Sequence, residues 1–87
     1  MRAIRFVPDA WVDYLYWQAR DKKPLKRINL LISTAAKDPF EGIGKPEPLR
    51  GDLSGYWSRR IDDANRLVYR ADDADLVVIA CRFHYSD

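Results

Sequence analysis

The stretch that most constrains the fold of this 87-residue chain is its last apolar run, residues 76–85. This run reads LVVIACRFHY, and its first half is continuously apolar, which is typical of a strand well inside a sheet. In its second half, Cys81 and Phe83 alternate with Arg82 and with the only histidine, His84. A period of two predicts that Cys81 and Phe83 face the core, whereas the basic side chain and the histidine point out of the other face.

Length and composition narrow the class of protein. Eighty-seven residues, of which 47% are hydrophobic, predict one folded domain over residues 1–87. No apolar run approaches the roughly 20 residues that cross a bilayer, and the first residues do not resemble a secretory signal. Cys81 is the only cysteine and should pack as a small core residue, and one histidine without a cysteine pair offers too few metal ligands. We therefore expect a cytoplasmic protein with no membrane span, metal or cofactor.

The N-terminal half predicts a strand and a helical hairpin. Residues 2–7 form a short strand that ends at Pro8, and proline suits the first position of a helix because its missing N–H would be unpaired there. In the first helix we expect an aromatic stripe in the core, at Trp11, Tyr14, Leu15 and Ala19. After an interruption at residues 21–24, a second apolar stripe recurs at helical steps: Leu25, Ile28, Leu31, Ile32 and Ala35. The two helices should cover one face of a sheet.

The C-terminal half predicts that sheet. Residues 56–61, 66–71 and 76–85 read as strands joined by turns rich in aspartate, and Leu67, Tyr69 and Ala71 should face the core. The predicted fold class is therefore α+β, with an N-terminal strand, a two-helix hairpin and an antiparallel β meander whose helices lie on one face. Five arginines lie in or beside the predicted strands and predict a positively charged sheet face: Arg59, Arg60, Arg66, Arg70 and Arg82. We expect Arg66, Arg82 and His84 to point out of the side that the helices leave open.

Residues 38–55 predict a long loop, because they contain three prolines and four glycines. So long a loop in so small a domain is uncommon unless it has a function. Within it, Glu47 lies between Pro46 and Pro48, and these prolines restrict its backbone. Glu47 is therefore either a surface carboxylate in a rigid linker or a restrained catalytic group.

Carboxylate, guanidinium and imidazole groups together suit the cleavage of a phosphodiester. A base takes the proton from a ribose 2′-OH, a guanidinium stabilises the charged transition state, and an acid protonates the leaving 5′ oxygen. No Gly-x-Ser-x-Gly motif indicates a serine hydrolase. A non-catalytic RNA- or ribosome-binding module, or a domain whose open sheet face receives a peptide, would also use a basic face. A restrained glutamate favours the enzyme, because a binding module has no need of one.

Five segments carry a resemblance that covers almost the whole chain: residues 11–17, 39–49, 53–61, 66–69 and 80–85. In these segments, above all in KPEPL at residues 45–49 and CRFHY at residues 81–85, the chain resembles the YoeB (Txe) family of the RelE superfamily of toxins. The resemblance implies a microbial-RNase-like fold of the RelE type. It also implies the toxin of a type II toxin–antitoxin system, an mRNA interferase that cuts mRNA in the ribosomal A site and so inhibits translation.

The resemblance also implies roles for individual residues. It makes Glu47 the general base, His84 the general acid and Arg66 the group that stabilises the transition state. Tyr85 would position the substrate, and a set of basic residues would contact RNA: Lys45, Arg50, Arg60 and Arg82. The implied partners are the 70S ribosome, mRNA and a cognate YefM- or Phd-like antitoxin, in a homodimer or a toxin–antitoxin hetero-oligomer without a cofactor.

Overall fold

The computed structural model describes residues 1–83 as a five-stranded sheet with two helices. The elements follow in chain order: β1 (Ala3–Phe6), α1 (Pro8–Arg20), α2 (Lys22–Lys37), β2 (Glu47–Pro48), a 3-10 helix (Gly51–Leu53), β3 (Trp57–Arg60), β4 (Arg66–Ala71) and β5 (Asp75–Ala80). In the sheet their order is β1-β5-β4-β3-β2, and β1 runs parallel to β5 whereas the other neighbours are antiparallel. The predicted α+β class is confirmed.

Helix α2 supplies much of the core, as its sequence pattern predicts. Ile28, Leu31, Ile32 and Ala35 are buried, and Leu25 packs beside them. The helix begins earlier than the stripe suggests, because Asp21 acts as its N-cap and accepts a hydrogen bond from the Lys23 N–H at 3.1 Å. Helices α1 and α2 have 13 and 16 residues, and neither is long and apolar enough to cross a membrane.

Helix α1 is rotated relative to the predicted stripe. Its buried residues are Ala10 and Trp17, and the Tyr14 ring packs partly against the core between them. Trp11 and Leu15 remain 47% and 41% exposed, so their predicted place in the core is wrong, as is that of the exposed Ala19. Aromatic and aliphatic residues occur nearly all around this helix, and only the contact with β5 and α2 selects the buried side.

Strand β4 follows the predicted alternation. Leu67 and Tyr69 are buried on the helix side, and Ala71 packs against the same core. Val68 points the opposite way and is buried in a small second cluster with Leu49 and Ala80. The sheet therefore has one face under the helices and another that is covered only in part, and Arg66 begins β4 on this second face.

Strand β5 is shorter than predicted, and a β-bulge interrupts it. Tyr69 is opposite Val78 and Val68 is opposite Ala80, so Ile79 has no partner of its own on β4. The extra residue shifts the alternation by one, which lets Leu76 and Cys81 both face the helix-side core. The strand ends at Ala80, and Phe83 is 60% exposed, so the prediction of a core-facing Phe83 is wrong.

The loop at residues 38–55 contains two short regular pieces, the two-residue strand β2 and the 3-10 helix, which the sequence does not predict. Its first part is held by Arg59, which is fully buried on the helix side. The guanidinium donates to three backbone carbonyl oxygens at 2.6, 2.8 and 3.0 Å: those of Asp38, Glu41 and Ile43. The prediction that Arg59 lies on a positively charged face is therefore wrong.

The Cys81 thiol provides a chemical test of this packing. It is buried as predicted, and burial, followed by the charge of Asp13, raises its pKa from 9.0 to about 12. Because the thiolate is the reactive form, we expect Ellman's reagent to leave the folded protein unmodified at about pH 8 and to label this one cysteine after denaturation. The unfolded chain loses this proton first, so the free energy of unfolding should fall as pH rises above about 9. Rapid labelling of the folded protein would contradict this packing.

Candidate active site

Glu47 is held in place by the sheet rather than by the loop alone. It lies in β2, the outermost strand beside β3, where Glu47 pairs with Ser58 and Pro48 pairs with Trp57. Just beyond the strand, the Leu49 N–H donates to the Tyr56 carbonyl oxygen at 2.9 Å. The Glu47 side chain is nevertheless 57% exposed. Its carboxylate therefore combines a fixed backbone with access from solvent.

Arg66 reaches Glu47 across the intervening strand. Its Nη1 lies 2.8 Å from Glu47 Oε1, and the same nitrogen donates to Ser58 Oγ at 2.6 Å. The Arg66 side chain is only 15% exposed, so this ion pair is screened less than one between two exposed residues. The structure thus brings together the carboxylate and the guanidinium that the sequence analysis named. Both contacts use Nη1. A guanidinium carries five N–H donors, so its other nitrogens can still donate to a phosphate.

Ser58 belongs to this site, and the sequence analysis missed it. It is fully buried in the middle of the face, since it pairs with Glu47 on one side and with Val68 on the other. Its hydroxyl oxygen accepts the hydrogen bond from Arg66 Nη1 and so holds the guanidinium in place. A serine within a strand carries no signal of its own, and only the register of three strands places it between Glu47 and Arg66.

The two remaining predicted catalytic residues, His84 and Tyr85, lie outside the described residues. The residue before them, Phe83, is described, and its carbonyl oxygen accepts a hydrogen bond from the Arg66 N–H at 2.9 Å. The backbone of Arg66 is therefore bonded to the residue that immediately precedes His84, while its side chain contacts Glu47.

The four basic residues that were predicted to contact RNA lie in different parts of the fold. Lys45 and Arg50 are exposed on either side of β2. Arg60 is opposite Arg66 on the same face, and its Nη2 lies 2.8 Å from the carboxylate of the fully exposed Asp63. The guanidinium of Arg82 lies 3.4 Å from the centroid of the Tyr16 ring on α1. Arg82 is therefore directed towards the helices, which corrects the prediction that it shares the open face with Arg66.

The side chains of the site suit acid–base chemistry on an anionic substrate. It contains one accessible carboxylate beside a guanidinium. Within residues 1–83, no group of three or more histidine, cysteine or acidic side chains could hold a metal ion. The described part of the site therefore offers a base and an anion-binding group.

Comparison with known proteins places this arrangement in a family. The model of the YoeB-like toxin of bacterial type II toxin-antitoxin system matches residues 6–85. The chain belongs to the YoeB family of toxins. It is 63% identical to Toxin YoeB of Synechocystis sp. over 83 residues, which cover 95% of this chain and 96% of that toxin. The match confirms the resemblance drawn from the five sequence segments.

Solved YoeB structures have the same fold. The structure of a YoeB dimer from Staphylococcus aureus is 46% identical, with a TM-score of 0.90 and coverage of 97% of this chain and 98% of that one. A heterotetrameric complex of the YoeB–YefM toxin–antitoxin from the same species contains a chain 45% identical, with a TM-score of 0.88 and coverage of 98% and 99%. The predicted RelE-type fold is therefore confirmed.

Proposed function

We propose that this toxin is an endoribonuclease that cleaves mRNA in the A site of the 70S ribosome and thereby inhibits translation. The observation that carries the proposal is the contact of 2.8 Å between Glu47 Oε1 and Arg66 Nη1 on the open sheet face. An accessible carboxylate next to a guanidinium places a base beside a group that binds phosphate. Both groups accelerate the attack of a ribose 2′-OH on the adjacent phosphodiester.

In the proposed reaction, Glu47 removes the proton from the 2′-OH and the 2′ oxygen attacks the adjacent phosphorus. Arg66 stabilises the negative charge that develops on the phosphoryl oxygens, and its hydrogen bond to Ser58 keeps the guanidinium in place. The bond from phosphorus to the 5′ oxygen then breaks, and His84 gives that oxygen a proton. The products are a 2′,3′-cyclic phosphate and a 5′-hydroxyl end. Tyr85 positions the substrate.

The basic residues around β2 and β3 would hold the RNA backbone. Lys45 and Arg50 are exposed within three residues of Glu47. The Arg60 guanidinium pairs with the fully exposed Asp63, and a surface pair of this kind is weak enough to exchange for a phosphate. Arg82 would contact RNA from the helix side, where its guanidinium is stacked on Tyr16.

The partners proposed for this chain follow from its relatives. The S. aureus toxin was solved as a dimer and in a complex with YefM. We propose that this chain forms a homodimer and a hetero-oligomer with a YefM-like antitoxin. A disordered acidic segment of the antitoxin would fold over the basic face near Arg60 and Arg66 and neutralise it.

Mapping of mRNA 5′ ends after induction of the toxin in bacterial cells tests the proposed function. We expect new 5′-hydroxyl ends inside translated codons and none in untranslated messages. Co-expression of the cognate antitoxin should suppress these ends. His84→Gln should lower their number. Arrest of translation without new ends would instead favour a non-catalytic ribosome-binding module, and growth without any effect on translation would contradict both functions.

A further inference from the structure

Residues 81–83 leave the sheet and are held by side chains of other elements. The Cys81 N–H donates to Asp13 Oδ2 at 3.0 Å, and the Cys81 carbonyl oxygen accepts from Trp17 Nε1 at 2.7 Å. Asp13 and Trp17 are four residues apart on α1 and so lie on one face of that helix. The helix therefore binds both polar groups of the Cys81 peptide backbone.

Asn65 does the same for Phe83 from the turn between β3 and β4. The Phe83 N–H donates to Asn65 Oδ1 at 2.7 Å, while the Phe83 carbonyl oxygen accepts from the neighbouring Arg66 N–H at 2.9 Å. Asn65 is itself oriented, since its backbone N–H and its Nδ2 donate to the Asp62 carboxylate at 2.8 and 3.0 Å. Asn65 thus presents a fixed acceptor to the Phe83 backbone.

The backbone of Phe83 has a conformation that needs such support. Its φ of 68° lies in the left-handed region, which glycine adopts readily but which is unfavourable for a bulky residue such as phenylalanine. The residue is 60% exposed, and the guanidinium carbon of the neighbouring Arg82 lies 4.4 Å from the centroid of its ring. The hydrogen bonds with Asn65 and Arg66 hold the Phe83 backbone in this bend from both its N–H and its carbonyl oxygen.

We propose that Asn65 is a positioning residue for the catalytic C-terminus. It holds the backbone of Phe83 in the bend and so fixes the point at which the chain continues into His84 and Tyr85. Its neighbour Arg66 is bound to Glu47, so the dipeptide Asn65-Arg66 connects the Phe83 backbone to the carboxylate. This role rests on the proposed function, which gives His84 and Tyr85 their parts in the reaction.

Single-turnover cleavage of mRNA on programmed 70S ribosomes tests this role. We expect Asn65→Ala to lower the cleavage rate by about 10- to 100-fold, because small misplacements of a catalytic group have effects of this size. The ribosome concentration that gives half the maximal rate and the melting temperature should stay near the wild-type values. Asn65→Asp alone would place a second carboxylate against Asp62, so the conservative variant is the swapped pair Asp62→Asn with Asn65→Asp, in which an amide still donates to a carboxylate. The swapped variant should recover most of the rate, because the side chain at position 65 still accepts from the Phe83 N–H.

The matched control is Asn29→Ala. Asn29 Oδ1 also accepts one hydrogen bond, from the Tyr14 hydroxyl at 2.8 Å, but it lies on α2 away from the site, and its removal should leave the rate unchanged. Hydrogen exchange of the Phe83 amide, followed by NMR, adds a readout that does not depend on cleavage. Exchange should be faster in Asn65→Ala than in the wild-type protein and slow again in the swapped variant Asp62→Asn with Asn65→Asp.

The outcomes separate the two proposals. If the wild-type protein does not cleave mRNA on the ribosome, the proposed function has failed, and the role of Asn65 fails with it. If the wild-type protein cleaves and Asn65→Ala cleaves equally fast, only the role of Asn65 is wrong. A loss of rate that the swapped variant does not recover, or that comes with an equal loss of ribosome binding, would also overturn the role.

Discussion

Replacement of Glu47 by Gln is expected to slow single-turnover cleavage of mRNA on the ribosome by roughly 10²- to 10⁴-fold, the usual contribution of a general base. Glutamine has nearly the same shape but cannot take the proton from a ribose 2′-OH. The change should leave the fold intact, because the Glu47 side chain is 57% exposed and its strand is held through backbone pairing. Ribosome binding should therefore survive while the rate falls.

Glu41 provides the matched control for this experiment. It is an exposed glutamate in the same loop, so Glu41→Gln changes the same charge by the same amount away from Arg66. We expect that variant to cleave like the wild-type protein, which would exclude a general effect of charge on RNA binding. Wild-type cleavage by Glu47→Gln would remove Glu47 from the reaction as its base.

The largest loss of stability is expected for Arg59→Met. Methionine fills part of the same buried space, but four acceptors lose their donor: the Tyr69 hydroxyl and the carbonyl oxygens of Asp38, Glu41 and Ile43. A hydrogen bond to a charged group contributes about 1.5–3 kcal/mol, but methionine also removes the cost of burying the charge, so the free energy of unfolding should fall by about 3–5 kcal/mol in total. For a domain of this size each kcal/mol lowers Tm by about 4–8 °C, so thermal unfolding should show the loss clearly.

The neighbouring Arg60→Met is the control for stability. Arg60 is half-exposed and pairs with the fully exposed Asp63, and such pairs contribute about 0–1 kcal/mol. Its Tm should therefore stay close to that of the wild-type protein. Arg59→Lys should be intermediate, because an ammonium keeps the charge without the planar set of donors. Equal Tm values for Arg59→Met and Arg60→Met would show that the buried guanidinium does not hold the loop.

The sequence alone determined the elements whose pattern has one clear period. The stripe of α2 and the alternation of Leu67, Tyr69 and Ala71 in β4 predicted which residues face the core between the sheet and the helices, because each follows the regular period of its element. The two prolines around Glu47 likewise marked a restrained carboxylate, since their effect on the backbone is local. Predictions of this kind need no knowledge of the neighbouring elements.

The tertiary structure decided those features for which the local pattern allowed several solutions. Helix α1 is apolar on most sides, and its contact with β5 buried Trp17 and left Trp11 half-exposed. In β5, the bulge at Ile79 shifts the alternation and directs Cys81 to the helix side, and a continuously apolar run contains no sign of such a shift. The exposure of Phe83 follows from the contacts that residues 81–83 make with α1 and with the β3–β4 turn after β5 has ended.

The site was predicted in part for the same reason. The sequence named Glu47 and Arg66 because their chemistry is specific and their family motifs are distinctive. It did not indicate Ser58 or Asn65, and it placed Arg59 on the wrong face. The roles of these three residues depend on partners 8, 18 and up to 21 positions away in the chain. Such distances are closed only when the strands pair in one register, and that register is a property of the whole sheet.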